Sequence, residues 1–138
     1  MITIESLSHS YPDGTQALRS ISLQIHRGEI MLLCGPNGSG KTTLLRHLNG
    51  LLKPTSGRVL LDGLDVSLHP REVVTRVGMV FQDPDSQILG ETVWEDAAFG
   101  PENLGLPRDE VKERVRRALE LTELLGLAHK SCLWLSGG

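Results

Sequence analysis

Gly35-Pro36-Asn37-Gly38-Ser39-Gly40-Lys41-Thr42 has the spacing G-x-x-x-x-G-K-[ST], a glycine-rich loop whose backbone N–H groups can surround phosphate oxygens. Its flanks suit that use. Ile30-Met31-Leu32-Leu33-Cys34, just before it, is an apolar run of the kind that forms a buried parallel strand. Thr42-Thr43-Leu44-Leu45-Arg46-His47-Leu48, just after it, reads as a helix. A strand, a glycine loop and a helix in that order aim main-chain amides and a helix N-terminus at one point, and a polyphosphate fits such a point. A side chain at Gly35 or Gly40 would block the approach of backbone to phosphate. Lys41 brings a cation to the β- and γ-phosphates. Thr42 offers a hydroxyl to Mg²⁺, a hard ion that prefers oxygen ligands. Ser39 and Thr43 can add donors, and Pro36, Asn37 and Gly38 belong to the same binding loop.

The rest of the composition is that of an ordinary folded chain. The 138 residues are 39% apolar and 22% charged, with a net charge of −3. That balance gives no electrostatic pull toward nucleic acid. The longest apolar runs are about five residues, against roughly 20 for a bilayer span. Met1-Ile2-Thr3-Ile4-Glu5 lacks the basic segment and apolar core of a signal peptide, which points to the cytoplasm. Cys34 and Cys132 have no ligand-like spacing and are expected to be buried thiols of a reducing compartment. The five histidines show no ligand or triad spacing. The cations Lys112, Arg114, Arg116 and Arg117 read as a solvated helix face.

Along the chain, Ile2, Ile4 and Leu7 suggest a half-buried strand, and Tyr11-Pro12-Asp13-Gly14 a turn. Residues 21–25 alternate as a second strand. The helix from about Lys41 is expected to stop near Gly50. Pro54-Thr55-Ser56-Gly57 reads as a turn, and residues 58–61 as a short strand closed by Asp62-Gly63. A helical turn over 71–76 and a buried strand over 78–81 follow. Loop is expected from Asp83 to Gln87, a short helix from Thr92, as cap, to Phe99, and a linker over 100–107. A helix over 109–125 presents Val111, Val115, Ala118, Leu119 and Thr122 on one face, with Glu110/Arg114 and Glu113/Arg117 as i,i+4 pairs.

With Leu135-Ser136-Gly137-Gly138 added, the chain resembles the ATP-binding subunits of ABC transporters. The loop wording Gly-Pro-Asn-Gly-Ser-Gly-Lys-Thr-Thr, the Q-loop-like Val80-Phe81-Gln82-Asp83-Pro84 and the start of a signature motif at 135–138 carry the likeness. The resemblance implies an α/β fold, the P-loop NTPase of ABC ATPase type, with an N-terminal antiparallel β portion and a helical subdomain. It divides the chain at about 1–82, the β and P-loop core, and about 83–138, holding the Q-loop, the helical subdomain and the start of the signature. It implies ATP and Mg²⁺ as ligands. Tyr11 stands at the family's aromatic position, where a flat ring stacks on adenine; the other reading is a tyrosine that covers the strand–turn junction. Gln82 would reach Mg²⁺ or the attacking water, and is the expected catalytic residue. Ser136, Gly137 and Gly138 would touch the γ-phosphate held by a second ATPase subunit.

A finer likeness runs through Gln82-Asp83-Pro84-Asp85-Ser86-Gln87 and the stretch from Thr92 to Leu106. It resembles the energy-coupling-factor and cobalt/nickel-type importers. That implies uptake of a vitamin or metal ion through a membrane-embedded partner, with this chain peripheral on the inner face of the membrane. Trp94 reads equally as an anchor for that partner or as a packing residue.

The family's Walker B strand and switch histidine have no counterpart in these residues, and the signature motif is only begun. The core sheet is therefore expected to be incomplete, with an open edge beside residues 30–34. The 138-residue chain alone is expected to bind ATP weakly or not at all, to hydrolyse it negligibly, and to be marginally stable. Whether it acts as an enzyme is left open. The leading reading is an importer ATPase present as an N-terminal fragment. The alternatives are a non-catalytic remnant that binds nucleotide or a full-length partner, and a soluble ABC protein outside transport, against which the segment over 100–106 argues.

Overall fold

Strand β1 (Ile2–Ser10) pairs antiparallel with β2 (Gln16–Ile25) along one edge and with β3 (Ser56–Leu61) along the other, and β4 (Leu64–Asp65) extends the order to β2-β1-β3-β4. The computed structural model describes residues 1–83 and 87–135. It divides into two compact units, Met1–Met79 and Val80–Gly138.

In the first unit, bulges select which side chains reach the core. Ser6 has φ +47 and Ser20 has φ +46, at register shifts of the β1–β2 ladder. The serine hydroxyls of the facing strands take up the displaced amides. Ser6 N–H donates to Ser22 Oγ at 2.9 Å and Ser20 N–H to Ser8 Oγ at 2.9 Å. An extra residue reverses the phase of strand alternation. Ile4 and Leu7, an odd step apart, therefore both face inward, and His9 follows Leu7 on the same face. The expected turn at 11–14 is present, with Gly14 N–H donating to the Tyr11 carbonyl at 2.9 Å. Asp62 and Gly63 both take positive φ, +48 and +86, between the paired Leu61 and Leu64. That is the geometry of a two-residue type I′ hairpin, which an Asp-Gly pair favours. Helix α1 (Lys41–Leu48) ends just ahead of Gly50, and α2 (Pro70–Val73) is a single turn. Ile4, Leu7, Leu44, Val59, Val66 and Val73 form the centre of the core.

Several expectations are corrected here. Residues 30–34 do not form a strand: Ile30 is 98% and Leu32 84% exposed. A parallel strand exists only through ladder bonds to its neighbours, and among the described residues none pairs with this segment. Cys34 is exposed with it, whereas Cys132 is buried as expected. Residues 78–81 fail as a strand for the same reason, and Val80 is 93% exposed. Pro54-Thr55 does not turn. It runs into β3, with Thr55 N–H donating to the Ser8 carbonyl at 2.9 Å.

The second unit is helical. Helix α3 (Val93–Asn103) packs on α4 (Arg108–Leu121) through Val93, Ala98, Val111, Val115 and Leu119, and short 3-10 turns follow at Leu125–Leu127 and Cys132–Trp134. Thr92 caps α3 with a full capping box: its side chain accepts from Glu95 N–H, and its own N–H donates to the Glu95 carboxylate at 3.0 Å. Val93 and Trp94 N–H are bonded to the carbonyls of Lys130 and Ala128 at 3.1 and 2.8 Å. Trp94 packs partly buried on this cluster.

The expected linker over 100–107 is shorter, because α3 continues through Pro101 to Asn103. Proline disfavours a helical residue before it through that residue's N–H and Cβ, and Gly100, lacking the Cβ, lessens the clash. Helix α4 stops at Leu121 rather than Leu125. Thr122 Oγ1 bonds back to the Ala118 carbonyl at 2.9 Å, and Glu123 turns to φ +60. Its buried stripe is Val111, Val115 and Leu119 alone, with Ala118 and Thr122 exposed. Glu110 pairs with Arg114 as expected, but Glu113 pairs with Arg116, which also holds Glu120.

Candidate functional site

Helix α1 begins without a side-chain cap. Its N-cap is Gly40, at φ +88 and ψ +4, and no acidic residue lies in its first turn. The first N–H groups of a helix have no intrahelical partners and carry partial positive charge. In α3 the protein itself satisfies them; in α1 the terminus is left without such a cap. Gly40 is required twice. Its φ is one that L side chains rarely adopt, and a Cβ there would lie 2.6 Å from the Ala17 carbonyl oxygen of β2. Packing against β2 thus demands glycine independently of any ligand.

The loop ahead of α1 is curled around Lys41. The Lys41 ammonium donates to the carbonyls of Gly35 and Pro36 at 2.8 and 2.7 Å, and to Ser39 Oγ at 3.4 Å. Ser39 N–H closes the turn onto the Pro36 carbonyl at 3.3 Å. An ammonium has three donors and no acceptor, and here three loop oxygens lie around it. Asn37 and Gly38 form the exposed tip of this turn. Thr42 is exposed on the first turn of α1. Thr43 faces inward, and its hydroxyl is hydrogen-bonded to the Tyr11 phenol at 2.9 Å.

Tyr11 is half-buried at the end of β1. Its ring meets His9 edge-on, with centroids 4.8 Å apart at 84°. The structure therefore brings Tyr11, Thr43 and the loop around Lys41 into the first unit. Gln82 belongs to the second unit and is exposed there. Ser136, Gly137 and Gly138 lie outside the described residues, as do Pro84, Asp85 and Ser86.

Two buried residues escaped the sequence reading. His9 is 7% and His47 1% exposed. His47 Nδ1 bonds the Thr43 carbonyl at 2.7 Å, and His47 Nε2 lies 3.2 Å from His9 Nδ1. Burial pushes the His47 pKa below its ordinary 6.5; the nearby His9 acts the same way, and the Thr43 carbonyl opposes them. The available signal was spacing: His9 stands two after Leu7 on a strand, and His47 three after Leu44 on a helix.

Among the described residues no group of three or more His, Cys, Asp or Glu is arranged to hold a metal ion. A site built from one hydroxyl and a nucleotide's own phosphates needs none, since Mg²⁺ binds through few protein groups plus phosphate oxygens. No described helix is long and apolar enough to cross a membrane. The cations Lys112, Arg114 and Arg116 on α4 are paired with carboxylates of the same helix.

Comparison with known proteins adds an independent line. A family model described as "ABC transporter" matches residues 18–138. An energy-coupling factor transporter ATP-binding protein of Methanothermobacter thermautotrophicus is 51% identical over 141 aligned positions, which take in 100% of this chain and 45% of that protein. Its counterpart in Methanocaldococcus jannaschii is 46% identical, over 100% of this chain and 50% of that protein. The solved structure of cbiO1 from Clostridium perfringens, described as part of the ABC transporter complex cbiONQ, superposes with a TM-score of 0.85 at 40% identity. That match covers 98% of this chain and 55% of the other. The chain spans about half the length of the relatives it matches.

Proposed function

We propose, from the premise that this chain belongs to the ABC transporter family, that it is the nucleotide-gripping part of an ATP-binding subunit of an importer of the energy-coupling-factor or cobalt type. The observation that carries this reading is the curled loop of 35–41 closed on the Lys41 ammonium at the uncapped start of α1. In the reading, Gly35, Asn37, Gly38, Ser39 and Gly40 turn their N–H groups toward the β- and γ-phosphates of ATP, and Pro36, which has no N–H, shapes the loop. Lys41 exchanges its loop carbonyls for phosphate oxygens, a charge-assisted pairing. The Tyr11 ring lies against the adenine. A stacked ring gives affinity with little base readout, since every base has a π-face.

Mg²⁺, bound with the nucleotide, would supply positive charge that neutralises the phosphates. The exposed Thr42 hydroxyl and the Gln82 amide are its proposed protein ligands. Gln82 is also the residue proposed to orient the attacking water. Ser136, Gly137 and Gly138 are assigned to the γ-phosphate held by a second ATPase subunit. A membrane-embedded subunit would be the transport partner, with this protein peripheral on the inner face of the membrane and a metal ion or vitamin as cargo. The names of the relatives, transporter ATP-binding proteins and part of an ABC transporter complex, support the transporter part of this reading.

Calorimetric titration with Mg-ATP tests it. Weak binding is expected in the unsubstituted protein, since the chain spans about half of its relatives' length, and is expected to fall below detection in Lys41→Ala. At 100 times the dissociation constant, ATP should stabilise the fold by about 2.7 kcal/mol. Equal binding by Lys41→Ala would sink the reading.

A further inference from the structure

Four side chains beside the phosphate loop close a ring of contacts. The Tyr11 phenol bonds Thr43 Oγ1 at 2.9 Å, and the Thr43 carbonyl accepts from His47 Nδ1 at 2.7 Å. His47 Nε2 meets His9 Nδ1 at 3.2 Å, and the His9 ring returns to the Tyr11 ring at 4.8 Å. His9 Nδ1 also lies 3.2 Å from the Lys53 carbonyl.

A carbonyl only accepts, so the Thr43 carbonyl places a proton on His47 Nδ1 and the Lys53 carbonyl one on His9 Nδ1. The Lys53 carbonyl acts on His47 as well. His9 Nε2 is buried without a hydrogen-bond partner among the described residues. A buried polar atom left unpaired is unfavourable, and an apolar pair of similar volume would pack without that penalty. Packing alone does not account for the two imidazoles.

We propose that His9 and His47 are positioning residues for the nucleotide site: together they hold the Tyr11 ring at a set angle and tie it through Thr43 to the first turn of α1. The inference rests on the nucleotide reading above. It adds that base and triphosphate are aligned by one buried imidazole pair. Removing the pair should loosen the base arm and spare the phosphate arm.

The test compares Mg-ATP with inorganic tripolyphosphate, by calorimetry on the purified full chain. His9→Leu should weaken ATP binding roughly three- to tenfold, the worth of about one hydrogen bond, and leave tripolyphosphate within about twofold. His9→Asn places an amide N–H where His9 Nδ1–H stood and should restore most of the loss. Equal weakening of both ligands, weakening of neither, or failure of His9→Asn to rescue would overturn the proposal. Should His9→Leu not fold, Tyr11→Phe keeps the ring and drops its tie to Thr43; it should weaken ATP and spare tripolyphosphate, and the opposite pattern counts against the proposal. If the unsubstituted protein binds neither ligand, the nucleotide reading fails by itself. The pair is then judged by NMR: the Tyr11 ring signals should change in His9→Leu and return in His9→Asn. Tyr11 signals indifferent to His9 would overturn it.

Discussion

A methyl group at position 40 would collide with the Ala17 carbonyl 2.6 Å away while holding an L residue at φ +88. Gly40→Ala is therefore expected to destabilise the first unit by about 1–3 kcal/mol even without nucleotide, read as a lower denaturation midpoint at unchanged slope. A midpoint that does not move would mean that phosphate clearance is the only demand on this glycine. His47 has its own signature. Its folded pKa lies below 6.5, chiefly through burial, so below that pH the unfolded chain binds more protons than the folded one. Stability should be full above pH 6.5 and fall as pH drops from there toward the lowered folded pKa, by at most about 1.4 kcal/mol per pH unit. Thermal melts of the protein and of His47→Gln should diverge in that window, the variant showing the flatter profile. Lys41 and its loop were legible because the motif lies within eight consecutive residues. The inward turn of Thr43 was not, because its hydroxyl partner is Tyr11, 32 residues away.

Helix α3 shows how far a local code reaches. The Thr92–Glu95 capping box is reciprocal across three residues, and it could be placed at Thr92 from sequence. Thr92→Ala should cost about 1 kcal/mol, seen as reduced helicity or earlier melting of the second unit; no change would mean that the Lys130 and Ala128 carbonyls hold this terminus alone. The other end misled the reading. Gly100-Pro101 has the composition of a linker, but a glycine before proline lessens the clash that disfavours helix there. In β1, alternation looked broken between Ile4 and Leu7. The bulge at Ser6 repairs it, and the same phase change carries His9 inward. A bulge is visible only once the partner strand is paired.

The two units rest on separate apolar clusters. Leu7 is fully buried in the first, and Leu7→Ala should cost about 2–5 kcal/mol. Leu32, also leucine and also in an apolar run, is 84% exposed. Leu32→Gln should change stability by no more than about 0.5 kcal/mol and should reduce self-association seen by light scattering. A large loss of stability in that variant would show that residues 30–34 are buried in a strand after all. The amino-acid sequence alone determined the features whose partners lie within a few residues: the glycine loop and its lysine, the start of α1, the cap of α3 and the end of β3 at Asp62-Gly63. Only the tertiary structure decided whether an apolar run becomes a strand, and which polar groups are shut inside. A ladder, or the contacts joining His9, His47 and Thr43 to Tyr11, needs surfaces from distant parts of the chain, and hydrophobicity by itself supplies no hydrogen-bond partner.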